Sequence, residues 1–179
     1  MPIKASMWVH GTIAEAEDLT TVKIDKRGWG TTFTGAPRKS NWFHFPVPSP
    51  PIPDDPAPGT PEVIVISTTA TPPEDDIPRL AKVWVFYKTP ENPGAASPVI
   101  KSIHLYDGGK RIKVFDNLSL SGDHSDKPDA QNSWEIKPPL KIKHGLGVSV
   151  NVTFPGPKPK DALFSNSYDI LFKAVGADF

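Results

Sequence analysis

The stretch Val99-Ile100-Lys101-Ser102-Ile103-His104-Leu105-Tyr106, then Asp107-Gly108-Gly109-Lys110, then Arg111-Ile112-Lys113-Val114-Phe115 decides the fold class. Two runs rich in β-branched and aromatic residues flank a Gly-Gly pair, and glycine at both central positions permits the positive φ of a tight hairpin. Ile103 and Leu105 share one face of the first strand, and Ile112 and Val114 share one face of the second. Ser102, His104 and Tyr106 take the opposite face of the first strand. This is a half-buried antiparallel hairpin, and the theme recurs along the chain.

Working outward, Leu146, Val148, Val150, Val152 and Phe154 alternate with small or polar residues, the cleanest half-buried strand in the sequence. Met7 and Val9 share a face opposite Trp8 and His10, and Val22 alternates with Ile24. A single helical turn is expected within 12–19, too short to stand alone. Asn41-Trp42-Phe43-His44-Phe45 reads as a strand ending at Pro46. The runs 62–69 and 80–87 are apolar on both faces and suit strands covered on both sides. Leu118 and Leu120 stand at strand spacing; Trp134-Glu135-Ile136 and Leu140-Lys141-Ile142 read as two further segments. Towards the end, Tyr168, Ile170 and Phe172 face one way, Leu171 and Val175 the other. With ten to twelve short strands, no convincing amphipathic helix and no fixed-period repeat, the expected architecture is an antiparallel β-sandwich of jelly-roll or Greek-key type.

The length of 179 residues suits one domain, 1–179. Proline is the compositional outlier, at 22 residues. It concentrates in a strap, 46–61, which is expected to run as extended polyproline along a sheet edge. The segment 155–179 reads as a C-terminal arm whose Phe179 is expected to dock on something. With no cysteine, thiolate chemistry and disulfides are excluded. Twenty basic and twenty acidic side chains cancel, so no broad field attracts nucleic acid, and self-association meets little charge repulsion. No run reaches membrane-spanning length and the N-terminus lacks the apolar core of a signal peptide. Membrane insertion is therefore not expected, and a cytoplasmic location is the default beside signal-independent export.

Four stretches together resemble an uncharacterised family of bacterial β-rich domains: Trp8-Val9-His10-Gly11, Arg27-Gly28-Trp29-Gly30, Asn41-Trp42-Phe43-His44 and Ser121-Gly122-Asp123-His124. The resemblance covers most of the chain and implies a single domain. It brings no catalytic residues, since the family carries no assigned activity.

Candidate chemistry is sparse. His10, His44, His104, His124 and His144 fall one per segment without close ligand spacing, so an ordinary structural role is expected for each. Asp123, Asp126 and Asp129 share a polar loop with the oxygen ligands Ca²⁺ takes, but EF-hand spacing is missing and Asx turns explain them as well. No cofactor is expected. No nucleophile elbow, zinc-protease motif or phosphate loop is present, so no catalytic residue is named. Trp29, Trp42 and Trp134 stand beside polar or glycine-rich turns and could offer a flat ring to a sugar or a partner, with Asn41 bonding sugar hydroxyls. Burial in the core is the blander expectation, for Trp29 and above all for Trp84. Pro48, Pro50, Ile52, Phe164 and Phe179 mark the two arms, which could lie across another subunit by strand addition.

The expectation is a non-enzymatic β-sandwich that self-assembles or docks on a protein partner. A carbohydrate-binding, lectin-like module is the alternative, and a glycoside-type hydrolase with paired carboxylates comes third.

Overall fold

The structure, a computed structural model, describes residues 5–50, 77–90, 96–157 and 168–179. The expected strand at 62–69, the strap beyond Pro50 with Ile52, and Phe164 lie outside the described residues. Twelve strands follow in order: β1 (Ser6–His10), β2 (Glu15–Ala16), β3 (Val22–Arg27), β4 (Gly30–Gly35), β5 (Ser40–Val47), β6 (Arg79–Lys88), β7 (Val99–Asp107), β8 (Lys110–Phe115), β9 (Asp123–His124), β10 (Ser133–Lys141), β11 (Leu146–Thr153) and β12 (Asp169–Asp178). A single 3-10 turn, Gly11–Ile13, follows β1 where a helical turn was expected.

The strands form two antiparallel sheets. Sheet A has the order β10-β6-β12-β4-β3, with β1 added alongside β12 and β9 alongside β6; sheet B has the order β2-β5-β11-β7-β8. Among the described strands only β3-β4 and β7-β8 pair as sequence neighbours; every other pairing joins strands distant in the chain. The inner faces close on one core. Phe33 of sheet A meets Phe43 of sheet B with ring centroids 4.4 Å apart, and Phe172 meets Phe45 at 5.2 Å. Each aromatic of this kind removes on the order of 150–250 Å² from water, so the quartet contributes strongly to a core it shares with the buried leucines, isoleucines and valines of both sheets.

The alternation read from β11 holds: Leu146, Val148, Val150, Val152 and the following Phe154 are all buried, and β11 is the central strand of sheet B. The organising hairpin also forms, with Gly108 at φ +55° in its turn. Its second strand departs from simple alternation. The register slips between Leu105 and Tyr106, leaving Ile112 as the extra residue. Ile112 and Phe115 therefore pack on the core, while Val114 lies opposite His104 on the outer face.

Other expectations are corrected by pairing. β5 runs through Pro46 to Val47; among the described residues β2 pairs only with His44 and Phe43, so Pro46 has β11 alone as a strand neighbour, as a proline in a sheet edge does. The segments around Trp134 and Leu140 are one strand, β10, with a register shift between Glu135 and Leu140 that absorbs Pro138 and Pro139. Leu118 and Leu120 form no strand; Leu120 makes an isolated bridge to Ile100. β12 slips register between Phe172 and Ala174, so Val175 points inward with Ile170 and Phe172 rather than away from them.

The C-terminal arm is corrected most. From Asp169 onward it is the central strand of sheet A, paired to β6 on one side and to β4 then β1 on the other. Phe179 is buried in the chain's own core, and its backbone N–H donates to the Ala5 carbonyl at 2.9 Å. Residues 169–179 are thus spent within the sheet.

Trp84 is buried, but not in the core. It lies on the outer face of sheet A in the cross-strand row Trp8, Gly176, Trp84, and its indole stacks on that of Trp8 at 4.8 Å and 6°. Among the described residues, the second apolar face of β6 is covered by the Trp8 ring of β1, which meets both Trp84 and Phe86. No helix among the described residues is long and apolar enough to cross a membrane.

Candidate functional site

The outer face of sheet B carries a concentration of polar and aromatic side chains beside an open pocket. In a strand every second residue faces one side, and the register brings those of up to five strands into rows. One row runs Glu15, His44, Ser149, His104, Val114. Towards the Gly108-Gly109 turn the next row is Pro46, Gly147, Tyr106, Arg111, and on the other side comes Trp42, Asn151, Ser102.

The middle row is held by hydrogen bonds. His44 Nδ1 and Ser149 Oγ are 2.8 Å apart, and His44 Nε2 lies 3.9 Å from the Glu17 carboxylate. His104 Nε2 is 3.1 Å from Asp116 Oδ1, and the His104 ring leans on Trp42 with centroids 4.6 Å apart. Asp116 is held below the usual carboxylate range by a hydrogen bond from Ser102 and then by His104. The imidazoles of His44 and His104 therefore point to opposite sides of Ser149, each towards its own carboxylate, and do not converge on a common point.

Beside this row lies an open pocket of about 530 Å³ lined by Glu15, His44, Pro46, Tyr106, Gly147 and Ser149, among others. Its floor is the backbone at Gly147, with Pro46 and Tyr106 as cross-strand neighbours on either side. A Cβ built on Gly147 would touch only Tyr106 Cβ, at 3.5 Å. The glycine thus leaves a slot that any larger side chain would fill.

Of the residues expected to bind a ligand, only Trp42 belongs to this face. Asn41 points inward and is spent on the 18–21 turn: its side-chain oxygen accepts from the Asp18 N–H at 3.1 Å, and its amide donates to the Asp18 carbonyl and to Thr21 Oγ1. It cannot bond a sugar without releasing that turn. Trp29 stands at the tip of the β3-β4 hairpin with 50% of its surface exposed, contrary to the expectation of burial, and far from the pocket in topology. Trp134 packs against the core, its ring 6.0 Å from that of Phe115. Pro48 is exposed and Pro50 buried.

The acidic loop distributes its carboxylates among separate partners. Asp123 pairs with Lys88, Asp126 with Lys173, and Asp129 with His124 Nδ1 at 2.7 Å. Asp129 also accepts from the N–H groups of Gln131 and Asn132. Among the described residues no group of three or more His, Asp or Glu is arranged to hold a metal ion.

The residues gathered on this face were legible to different degrees. His44, His104, Tyr106 and Ser149 alternate with core residues on strands whose inner faces are apolar, so their outward direction was visible; Glu15 fell within the expected helical turn and Asp116 follows the end of β8, so theirs was not. Which strands lie side by side was not visible for any of them, and that alone makes them a cluster.

No family model matches the chain, and neither does any curated protein. The resemblance drawn above therefore rests on its four quoted stretches. What the structure defines is a β-sandwich with a polar, aromatic-flanked face on one sheet.

Proposed function

We propose that this chain is a non-enzymatic carbohydrate-binding β-sandwich that takes a sugar ring into the slot over Gly147. A pyranose presents an apolar ring face and a rim of hydroxyls. It is held where an aromatic or proline ring flanks a surface rich in fixed donors and acceptors. The observation that carries this reading is the Pro46, Gly147, Tyr106 row lying directly against the Glu15, His44, Ser149 row in one open pocket. Ser149 beside His44 does not argue for acyl transfer. A serine nucleophile needs donors aimed at a developing oxyanion, and β11 is paired along both edges, so its backbone N–H groups belong to the ladder.

Glycan-array binding of the wild-type chain, followed by calorimetry, tests this. Gly147→Leu is expected to abolish retention on the glycans that bind and Tyr106→Ala to weaken it at least tenfold, while Trp29→Ala leaves it unchanged. Wild-type protein that binds no glycan, or Gly147→Leu protein that binds as wild type, overturns the reading.

Self-association is the second reading, favoured by Trp8, which leaves 42% of its surface exposed on the outer face of sheet A in a chain of zero net charge. Light scattering over a range of concentrations, with Trp8→Ala alongside, reads it directly.

A further inference from the structure

We infer that the ligand is a linear oligosaccharide of several units, laid diagonally across sheet B from the Gly147 slot to Trp42, rather than a single terminal sugar. The inference rests on the carbohydrate reading above and names the class of carbohydrate.

Two aromatic side chains face the same side of the sheet. Tyr106 on β7 pairs with Gly147, and Trp42 on β5 pairs with Asn151. They are separated by two strand spacings across and four residues along, about 16 Å in the plane of the sheet. That is the separation of their backbone positions, wider than one sugar ring spans. The diagonal between them crosses β11 at Ser149, midway from Gly147 to Asn151, where His44 and His104 stand on either side. Ser149 and His104 are buried there and the His44 imidazole is the exposed polar group, so a chain following the diagonal would meet a ring, an imidazole, and a second ring.

The far end of the path is prepared as firmly as the near end. Trp42 is half-buried and braced by the His104 ring, His104 is held by Asp116, and Asp116 is held in turn by Ser102. A ring fixed in this way loses little freedom on binding. Glu15 lines the slot at the near end and Glu17 lies beyond it, while the remainder of the diagonal towards Trp42 carries no carboxylate of its own rows. That composition suits a neutral chain.

Calorimetry with β-1,4-linked glucose, mannose and N-acetylglucosamine series and with α-1,4-linked glucose, each from one to six units, tests the inference. Within the series that binds, affinity is expected to rise at least tenfold between one and four units. Trp42→Ala, with Trp42→Leu as a variant that keeps apolar volume without a flat ring, is expected to bring the six-unit ligand down to the affinity of the shortest one. Binding of the shortest ligand should be unchanged in both variants. Affinity that is complete at one unit, or a six-unit ligand indifferent to both Trp42 variants, overturns the inference and leaves the carbohydrate reading standing. Absence of binding at every length in every series overturns the inference, and absence of binding on the glycan array as well overturns the carbohydrate reading.

Discussion

The indoles of Trp8 and Trp84 lie parallel, 4.8 Å apart, on the outer face of sheet A, with Gly176 between their strands. A Cβ on Gly176 would come within 2.5 Å of the Trp8 ring, so the glycine is what lets the ring lie flat on the sheet. Trp8 in turn shields Trp84, which retains only 6% of its exposure, and Lys82 Nζ stands 5.7 Å from the Trp84 ring.

Trp8→Ala should therefore uncover Trp84 and cost about 1–3 kcal/mol, from lost ring stacking and lost cover. Urea unfolding followed by tryptophan fluorescence checks this, with a red-shifted native emission as Trp84 meets water. Gly176→Val should cost as much by pushing the ring off.

Two other glycines make an opposed pair. A Cβ at Gly11 would fall 1.9 Å from the Phe172 carbonyl oxygen, a backbone atom that cannot step aside, whereas Gly147 has room. Gly11→Ala is expected to cost more than about 3 kcal/mol or to prevent folding. Gly147→Ala should be neutral or stabilise by up to about 1 kcal/mol, since alanine restricts the unfolded strand more than glycine does. Thermal unfolding of the two variants side by side tests the contrast.

Asn132 organises the loop after β9. Fully buried, it donates to the carbonyls of His124 and Lys127 at 2.9 and 2.8 Å and accepts from the Asp129 N–H at 2.7 Å. Asn132→Ala leaves those buried groups without partners and is expected to cost about 2–3 kcal/mol in urea unfolding.

Acid should weaken the fold through the same loop. Asp123 is lowered by Lys88 and then Ser125, and Asp126 by Lys173. For Asp129, burial pushes the carboxyl up, but the hydrogen bonds from His124 and from the Gln131 and Asn132 backbone outweigh it and leave it lowered. Each folded value lies below the unfolded carboxyl value of 3.8. The stabilisation is therefore present above that value and is lost as pH falls through it and on through the lower folded values. The urea midpoint should hold from about pH 6 to about pH 4 and then fall, and Asp129→Asn should make that fall shallower.

How much of this was legible depends on range. Alternation along a single strand is a local signal, so the inward set of β11 and the hairpin at Gly108 could be read residue by residue. Bulges could not: nothing local in Lys113-Val114-Phe115 says that Ile112 is an extra residue, or that Val175 returns to the core after a slip at Phe172. Burial of Trp84 was foreseen and its side of the sheet was not, because its cover comes from a strand more than seventy residues away. The candidate site was half visible. Ser102, His104 and Tyr106 were placed on one outward face, but only the pairing of β11 with both β5 and β7 sets Ser149 between His44 and His104. Asn41 misled because an asparagine beside a tryptophan looks the same in sequence whether it faces a ligand or braces a turn.

The position of β12 bears on how the chain acquires its structure as it is made. β1, β4 and β6 are all synthesised earlier, yet each has β12 as its neighbour in sheet A. Until synthesis has passed Asp178, these strands lack their shared partner and expose unsatisfied edges, while β5, β7 and β11 of sheet B can already assemble. Vectorial folding would thus leave half a sandwich waiting on one late strand. That is the interval in which nascent chains would be most open to mispairing with one another and most dependent on chaperones.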